Sequence, residues 1–338
     1  MNDAELVFAK LQNAQFGCAR TGLGEALGCT QLKDANLLFA QLQGAQLTSS
    51  QLEGSELLAA QLQGADLGGT QLQGADLRAA QLQGANLEGA GLEGANLQQA
   101  GLEGATLGEA QLQGANLERA QLQGAQFSHE VETEEGTKNI FVAQMEAASL
   151  KGVSMWRASS VSVPNTDLTD LEKCDLDKKP WTDQGGGPHS FTEWRDSILE
   201  QIPDHRGNME WRLSALNPSP DNKPQNVIDR EICRSVPSKG PEWDRKLAES
   251  LGNLACSSSS APYVARGLLT NGRIESTGAH VVTIAERMQK GRPDLTACPG
   301  VAGFTDQDWA KLGELVQKAS DQGNVKKSKL VPKPSQTR

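Results

Sequence analysis

The decapeptide AQLQGANLEG, residues 80–89, places leucine at Leu82 and again at Leu87. The same spacing runs in both directions along the chain. Five is the wrong period for ordinary secondary structure. A helix advances about 100° per residue, so successive leucines would scatter around its surface instead of forming a stripe. A flat strand alternates its faces, so every fifth residue would change sides. One arrangement does bring all the leucines inside. The chain turns a corner every fifth residue and winds into a four-sided tube, each pentad forming one short side.

The register runs in fives from Leu27 and Leu32 to Phe127. From Leu37 onward, the residue two places before each anchor is Ala, Ser or Thr, as at Ala35, Ser50 and Thr70. A narrow tube requires this, because two large inward side chains per side would not fit. Low-complexity disorder gives no reason to hold a leucine in frame over a hundred residues. The expected structural core is Leu37, Leu42, Leu47, Leu52, Leu57, Leu62, Leu67, Leu72, Leu77, Leu82, Leu87, Leu92, Leu97, Leu102, Leu107, Leu112, Leu117, Leu122 and Phe127. The other three residues of each pentad, Gln83 among them, are expected to point outward.

The motif A-(D/N)-L-x-x, in ADLRA (75–79), ANLEG (85–89) and ANLQQ (95–99), resembles the pentapeptide-repeat proteins. The resemblance covers about half the chain, residues 4–162. It implies a right-handed quadrilateral β-helix, a β-solenoid. It says little about function, because proteins with this tube do unrelated things.

Composition divides the chain. All fourteen prolines lie from Pro164 onward and all six tryptophans from Trp156 onward. Proline would remove a ladder donor from a coil, and the later aromatics suit an ordinary globular core. The expected organisation is a β-helix over 1–162, an α-helical capping domain over 163–325, and a disordered basic tail over 326–338. Within the tube the frame slips by one residue between 17 and 27, read as a bulge or small corner loop. The acidic stretch 128–142 has no register and reads as a loop inserted at one corner. Helical spacing recurs in SFTEWRDSILEQI, with Ser190 as N-cap, in PEWDRKLAESLGNL and in HVVTIAERM. It recurs again in TDQDWAKLGELVQKA, where Thr305 and Asp308 form a capping pair.

Charge bears on partners. Residues 1–130 hold fourteen acidic and five basic side chains, a net of −9, so the acidity belongs to the tube. This argues against direct nucleic-acid binding. Some members of the resembled family imitate a DNA duplex and bind DNA gyrase. Five coils at about 4.8 Å would carry about one net charge per 3 Å, sparser than the one per ~1.7 Å of duplex DNA. The decapeptide also sets Gln columns, such as Gln41, Gln61, Gln81 and Gln121, on two opposite sides. Their amides can form ladders between coils.

Chemistry is thin. His129, His189, His205 and His280 lack metal-ligand spacing, and GGGPH (185–189) lacks the Lys-Ser/Thr of a phosphate loop. No catalytic, cofactor-binding or metal-binding residue is assigned, and no cofactor is expected. Six cysteines form no C-x-x-C. Cys256 and Cys298 could pair in an oxidising compartment; without a signal peptide or apolar span, reduced thiols and a cytoplasmic location are expected.

The reading that results is a non-enzymatic scaffold that binds a protein of unassigned identity. The first alternative is a DNA-mimic regulator of gyrase or another topoisomerase. A second follows from AQLQGA repeats, MWRAS (155–159) and a Trp-rich helical segment. These are similar to bacterial pentapeptide-repeat proteins with membrane helices ahead of the tube, which implies a sensor or effector lacking its anchor. MNDAELVFAK enters the repeat at once, so the N-terminal edge is expected to be open, and either an upstream segment covers it or it self-associates through residues 1–25.

Overall fold

A computed structural model of the chain describes residues 4–12, 14–17, 19–20, 26–133, 137–150, 153, 158, 179, 188, 190–200, 241–257, 261–292 and 294–321. The chain divides into two units, 1–237 and 238–338.

The described residues of the first unit up to Val153 form a β-solenoid. Parallel bridges join residues 20 apart, and they recur every fifth residue: Gln61 to Gln81, Asp66 to Asn86, Gln71 to Gly91, Asp76 to Asn96. Each coil therefore makes four bridges. The N–H groups explain the period. In one pentad, Gln81 N donates to Ala60 O of the preceding coil (2.9 Å), and Leu82 N donates to Gly101 O of the next (2.7 Å). Gly84 N donates to Glu103 O (2.8 Å), and Ala85 N closes a turn on Leu82 O (3.0 Å). That turn needs a left-handed third residue. Gly84 supplies it at φ 62°, and on one neighbouring side Ala79 and, a coil later, Gln99 adopt it at 53° and 60°.

Side chains follow from this backbone. Every leucine of the expected core from Leu37 to Leu122, and Phe127, is at most 1% exposed, as is each Ala, Ser or Thr of the inner column from Ala35 to Ala125. Ala143, Met145, Ala148, Leu150 and Val153 extend this core.

Two hairpins interrupt the period. β1 (Ala19–Arg20) and β2 (Ala26–Gly28) pair antiparallel with a bulge. The bridge offset there grows from 20 to 31, as in Glu5 to Asn36. The expected one-residue slip is thus a whole hairpin. Leu27 lies in β2, and the bridge series resumes at Gln31. The loop expected over 128–142 is likewise a hairpin, β3 (Ser128–Glu132) and β4 (Lys138–Val142). It raises the offset to 33, as in Gln111 to Gln144. Both hairpins leave the same corner, between the column Gln46–Asp66–Asn86–Thr106–Gln126 and the column Gln51–Gln71–Gly91–Gln111–Gln144.

Helix α1 (Phe191–Leu199) follows in this unit. Ser190 Oγ accepts from Glu193 N at 3.2 Å and Ser190 O from Trp194 N at 3.0 Å, a capped N-terminus.

The second unit is helical: α2 (Pro241–Ser257), α3 (Ala261–Thr270), α4 (Val281–Lys290) and α5 (Asp306–Asp321), with short 3-10 turns at Glu275–His280 and Pro299–Val301. Leu247 and Leu251 of α2, Leu268 of α3, Ile284 and Met288 of α4 and Leu312 of α5 are buried. A reciprocal capping box starts α5: Asp308 N donates to Thr305 Oγ1 (3.2 Å), and Thr305 N to Asp308 Oδ2 (2.8 Å). Cys256, at the end of α2, is bonded to Cys298, 42 residues on, with Cα atoms 4.3 Å apart. Cys29 is also disulfide-bonded. The expectation of reduced thiols is therefore corrected: all three cysteines among the described residues are oxidised. For Cys256 and Cys298 the cause is geometric, because the 3-10 turn after Cys298 brings that residue back to the end of α2.

Candidate protein-interaction surface

The four sides of the solenoid carry two kinds of polar column. On two sides the residue before the leucine is Asn or Asp in several coils, as at Asn36, Asp66, Asp76, Asn86, Asn96 and Asn116, and there its side chain has a local task. Asn86 Oδ1 accepts Glu88 N at 3.2 Å, Asp76 Oδ1 accepts Arg78 N at 3.1 Å and Asn96 Oδ1 accepts Gln98 N at 3.2 Å. The N–H just after the leucine, which has no coil-to-coil bond in these pentads, is thereby satisfied by an Asx turn. The same side chains also link coils. Asn86 Nδ2 donates to Asp66 Oδ1 at 3.0 Å, and Thr106 Oγ1 donates to Asn86 Oδ1 at 2.9 Å.

On the other two sides the residue before the leucine is mostly Gln, and the residue after it lies nearly flat. Gln43 Nε2 donates to Gln61 Oε1, and Gln63 Nε2 to Gln81 Oε1, each at 2.5 Å. Gln113 Nε2 reaches Gln144 Oε1 at 2.6 Å. The expectation that the residue after the leucine points outward is corrected here. Gln63 and Gln123 are buried, and the Oε1 atoms of Gln43, Gln73, Gln83, Gln113 and Gln123 are buried without a partner. These amides lie along the coil surface and bridge one coil to the next.

Two pentads break the pattern together. In AGLEG at 90–94 and again at 100–104, glycine replaces the first Gln and glutamate the second. A Cβ at Gly101 would overlap the Gln83 amide and come within 3.0 Å of Glu103 Oε2; Gly91, Gln73 and Glu93 repeat the arrangement. With no side chain at 101, Gln83 folds over the glycine and donates to the Glu103 carboxylate. Burial pushes the Glu103 carboxyl up to about 7, against the opposing pull of its own backbone N–H and of Gln83. Burial raises Glu93 as well. Glu53, in the same column as Glu93, instead has a cation, Lys33 Nζ, at 2.9 Å.

This sets a pH dependence. Folded Glu103 holds its proton up to about 7 against an ordinary 4.5. Between those values the folded chain binds more protons than the unfolded one, so unfolding free energy falls as pH rises. The favourable contribution is complete below the lower value and lost through the upper, on the order of 3 kcal/mol. Glu103→Gln should flatten the curve, since Gln123 of the next coil and Gln63 two coils before occupy the same place and are buried. Urea midpoints at about pH 5 and about pH 8 test this. Equal wild-type midpoints would refute it.

Exposed side chains complete the surface. Gln99, Glu109, Arg119 and Gln121 stand at exposed positions on the coils. Phe8 and Phe39 stack on the outside of adjacent coils, centroids 5.1 Å apart, 67% and 41% exposed. His129 of β3 stacks on Phe141 of β4 at 4.8 Å and lies over Gly108. His280 is the N-cap residue of α4. His189, His205, Cys18, Cys174 and Cys233 lie outside the described residues. No group of three or more His, Cys, Asp or Glu placed to hold a metal occurs among the described residues. No helix among them is long and apolar enough to cross a membrane.

The fold defines the chain as a β-solenoid repeat protein with helices in its later region. The profile of the family "Pentapeptide repeats" matches residues 60–99 and 95–129 in eight copies. The chain belongs to the pentapeptide-repeat family. No curated protein matches it. Among solved structures it is similar to full-length QnrB1, a plasmid-mediated fluoroquinolone resistance protein: 17% identity, 52% of this chain and 81% of that one covered, TM-score 0.27. It is similar to HetL, involved in heterocyst differentiation regulation in the cyanobacterium Nostoc sp. strain PCC 7120: 25% identity, 52% and 86% covered, TM-score 0.22. It is also similar to Rfr23 from the cyanobacterium Cyanothece 51142: 36% identity, 37% and 84% covered, TM-score 0.16.

Proposed function

We propose that the chain is a non-enzymatic scaffold, a right-handed quadrilateral β-helix over 1–162 that presents a fixed polar surface to a partner protein. The helical segment 163–325 and the tail 326–338 are further parts of this organisation. One observation carries the reading. Surface side chains are tied to the next coil, as in Asp66–Asn86–Thr106, and so are held in place before any partner arrives. A pre-ordered surface loses less side-chain entropy on binding. The Cys256–Cys298 bond supports an oxidising compartment over the reducing cytoplasm.

The test places a photo-crosslinking side chain at Gln99, Arg119 or Gln121 in turn and exposes the chain to native host lysate. The expected result is one protein captured from one side and lost when a neighbouring surface charge is reversed. Capture from no side sinks the reading. Inhibition of gyrase supercoiling at stoichiometric protein would move the assignment to the DNA-mimic alternative.

A further inference from the structure

We propose that the outer edge of β3 is a docking site for an extended segment of a partner protein in which basic and β-branched residues alternate. This deepens the scaffold reading and rests on it.

The hairpin consists of β3 and β4 alone. Its hydrogen-bond phase follows from its two ends. Ala143 N donates to Phe127 O at 2.8 Å, and Thr133 N donates to Thr137 O at 2.8 Å. Bonded and non-bonded pairs alternate in an antiparallel ladder. With the register His129–Phe141 and Val131–Asn139, those two pairs are the bonded ones between the ends. The N–H and C=O groups of Glu130 and Glu132 therefore point away from β4. An edge of this kind templates a further strand, and addition of an extended peptide to such an edge is a recurring mode of recognition.

The two edges differ. Lys138 stands on β4, and lysine is a common edge-blocking residue. β3 offers Glu130, Val131 and Glu132, all exposed. Lys138 Nζ meets Glu130 Oε2 at 2.9 Å. Across the ladder Glu132 faces Lys138, yet the ammonium is engaged with Glu130. Val131 is 46% exposed and Ile140 48%, two of the six large apolar side chains exposed among the described residues.

These features specify the occupant. A strand added to β3 sets its side chains directly opposite Glu130, Val131 and Glu132. Lysine or arginine two positions apart would face the carboxylates, and a β-branched residue between them would face Val131. A second copy of this chain fits poorly. Two-fold pairing of β3 with itself would bring Glu130 and Glu132 of the two copies together, and like charges directly opposite are unfavourable.

The probe is a short fluorescent peptide alternating lysine and valine, titrated with the full chain at physiological salt. Saturable anisotropy is expected. N-methylation at the residues whose N–H groups would meet β3 should abolish it, because it removes the donors and leaves the charge. The pair E130K and E132K should weaken binding at least tenfold, with the far-UV spectrum and solenoid melting unchanged. Equal binding of the N-methylated peptide means charge attraction alone and overturns the proposal, independently of how the variant folds. So does the absence of binding up to about 1 mM peptide. Failure here with a partner still crosslinked at Gln99, Arg119 or Gln121 removes this site and leaves the scaffold reading standing.

Discussion

Leu82→Lys should unfold the middle of the solenoid. The leucine is fully buried, and its N–H is bonded to Gly101 O of the next coil at 2.7 Å. Removing its apolar surface from the core costs about 1.5–3 kcal/mol. The ammonium has no route out, because the side chain starts inside a ring of Leu and Ala. It must lose its charge or break the coil, and either adds several kcal/mol. Stacked repeats are stabilised by their neighbours, so the defect should spread to the coils holding Leu62 and Leu102. Gln99→Lys is the matched control: same charge, adjacent coil, exposed position, expected within about 0.5 kcal/mol of wild type. Chemical denaturation of both variants compares them directly, and equal losses would mean that the inner and outer faces have been exchanged.

The second large effect belongs to the helical unit. Replacing both Cys256 and Cys298 with serine should destabilise it by roughly 4 kcal/mol, the loop-closure value for a link across 42 residues. Both sulfurs are buried, so the serines also leave two hydroxyls in an apolar place. The four helices are 10 to 17 residues long, lengths that are marginal without packing. A loss of this size should lower the unit's melting temperature by at least about 15 °C. The helical circular-dichroism signal reports it, and Leu82→Lys should leave that signal in place. An unchanged helix melt in the double-serine variant would show that α2, α3 and α4 hold together without the bond.

The repeat could be read from sequence because its cause is local. A leucine every fifth residue with a small residue two before it is a packing rule, visible in any ten residues such as 80–89. The helices were legible for a similar reason: Ser190, Thr305 and Asp308 are capping residues at fixed distances from the first turn. What escaped depends on residues 20 apart. Nothing near Gln83 says that its amide will cover Gly101, and nothing near Glu103 says that it will be sealed beneath that amide. The Gly-x-Glu pairing at 91–93 and 101–103 was a signal, visible only when pentads are aligned by coil. The Asx turns of Asn86 and Asn96 explain the D/N of the motif, but only once the N–H two residues on is seen to need an acceptor. The two hairpins were obscured because the pentad is lost over 17–29 and 128–142, and the one alternating run there, EVET at 130–133, is too short and too charged to mark a strand by itself.

Both hairpins leave and rejoin at one corner, where the two turn residues of other coils, Thr48 and Ser49 or Gly68 and Gly69, would stand. The chain can therefore gain length there without altering the pitch or the inward register, because Phe16 and Phe127 on one flank and Thr30 and Ala143 on the other keep their places in the ladder. That corner is a tolerant port. A foreign loop spliced between Leu67 and Thr70 or between Leu87 and Ala90 would be carried at a chosen height along a rigid axis. Stepping from one coil to the next would move the graft by about 4.8 Å, which makes the molecule usable as a graduated display rod.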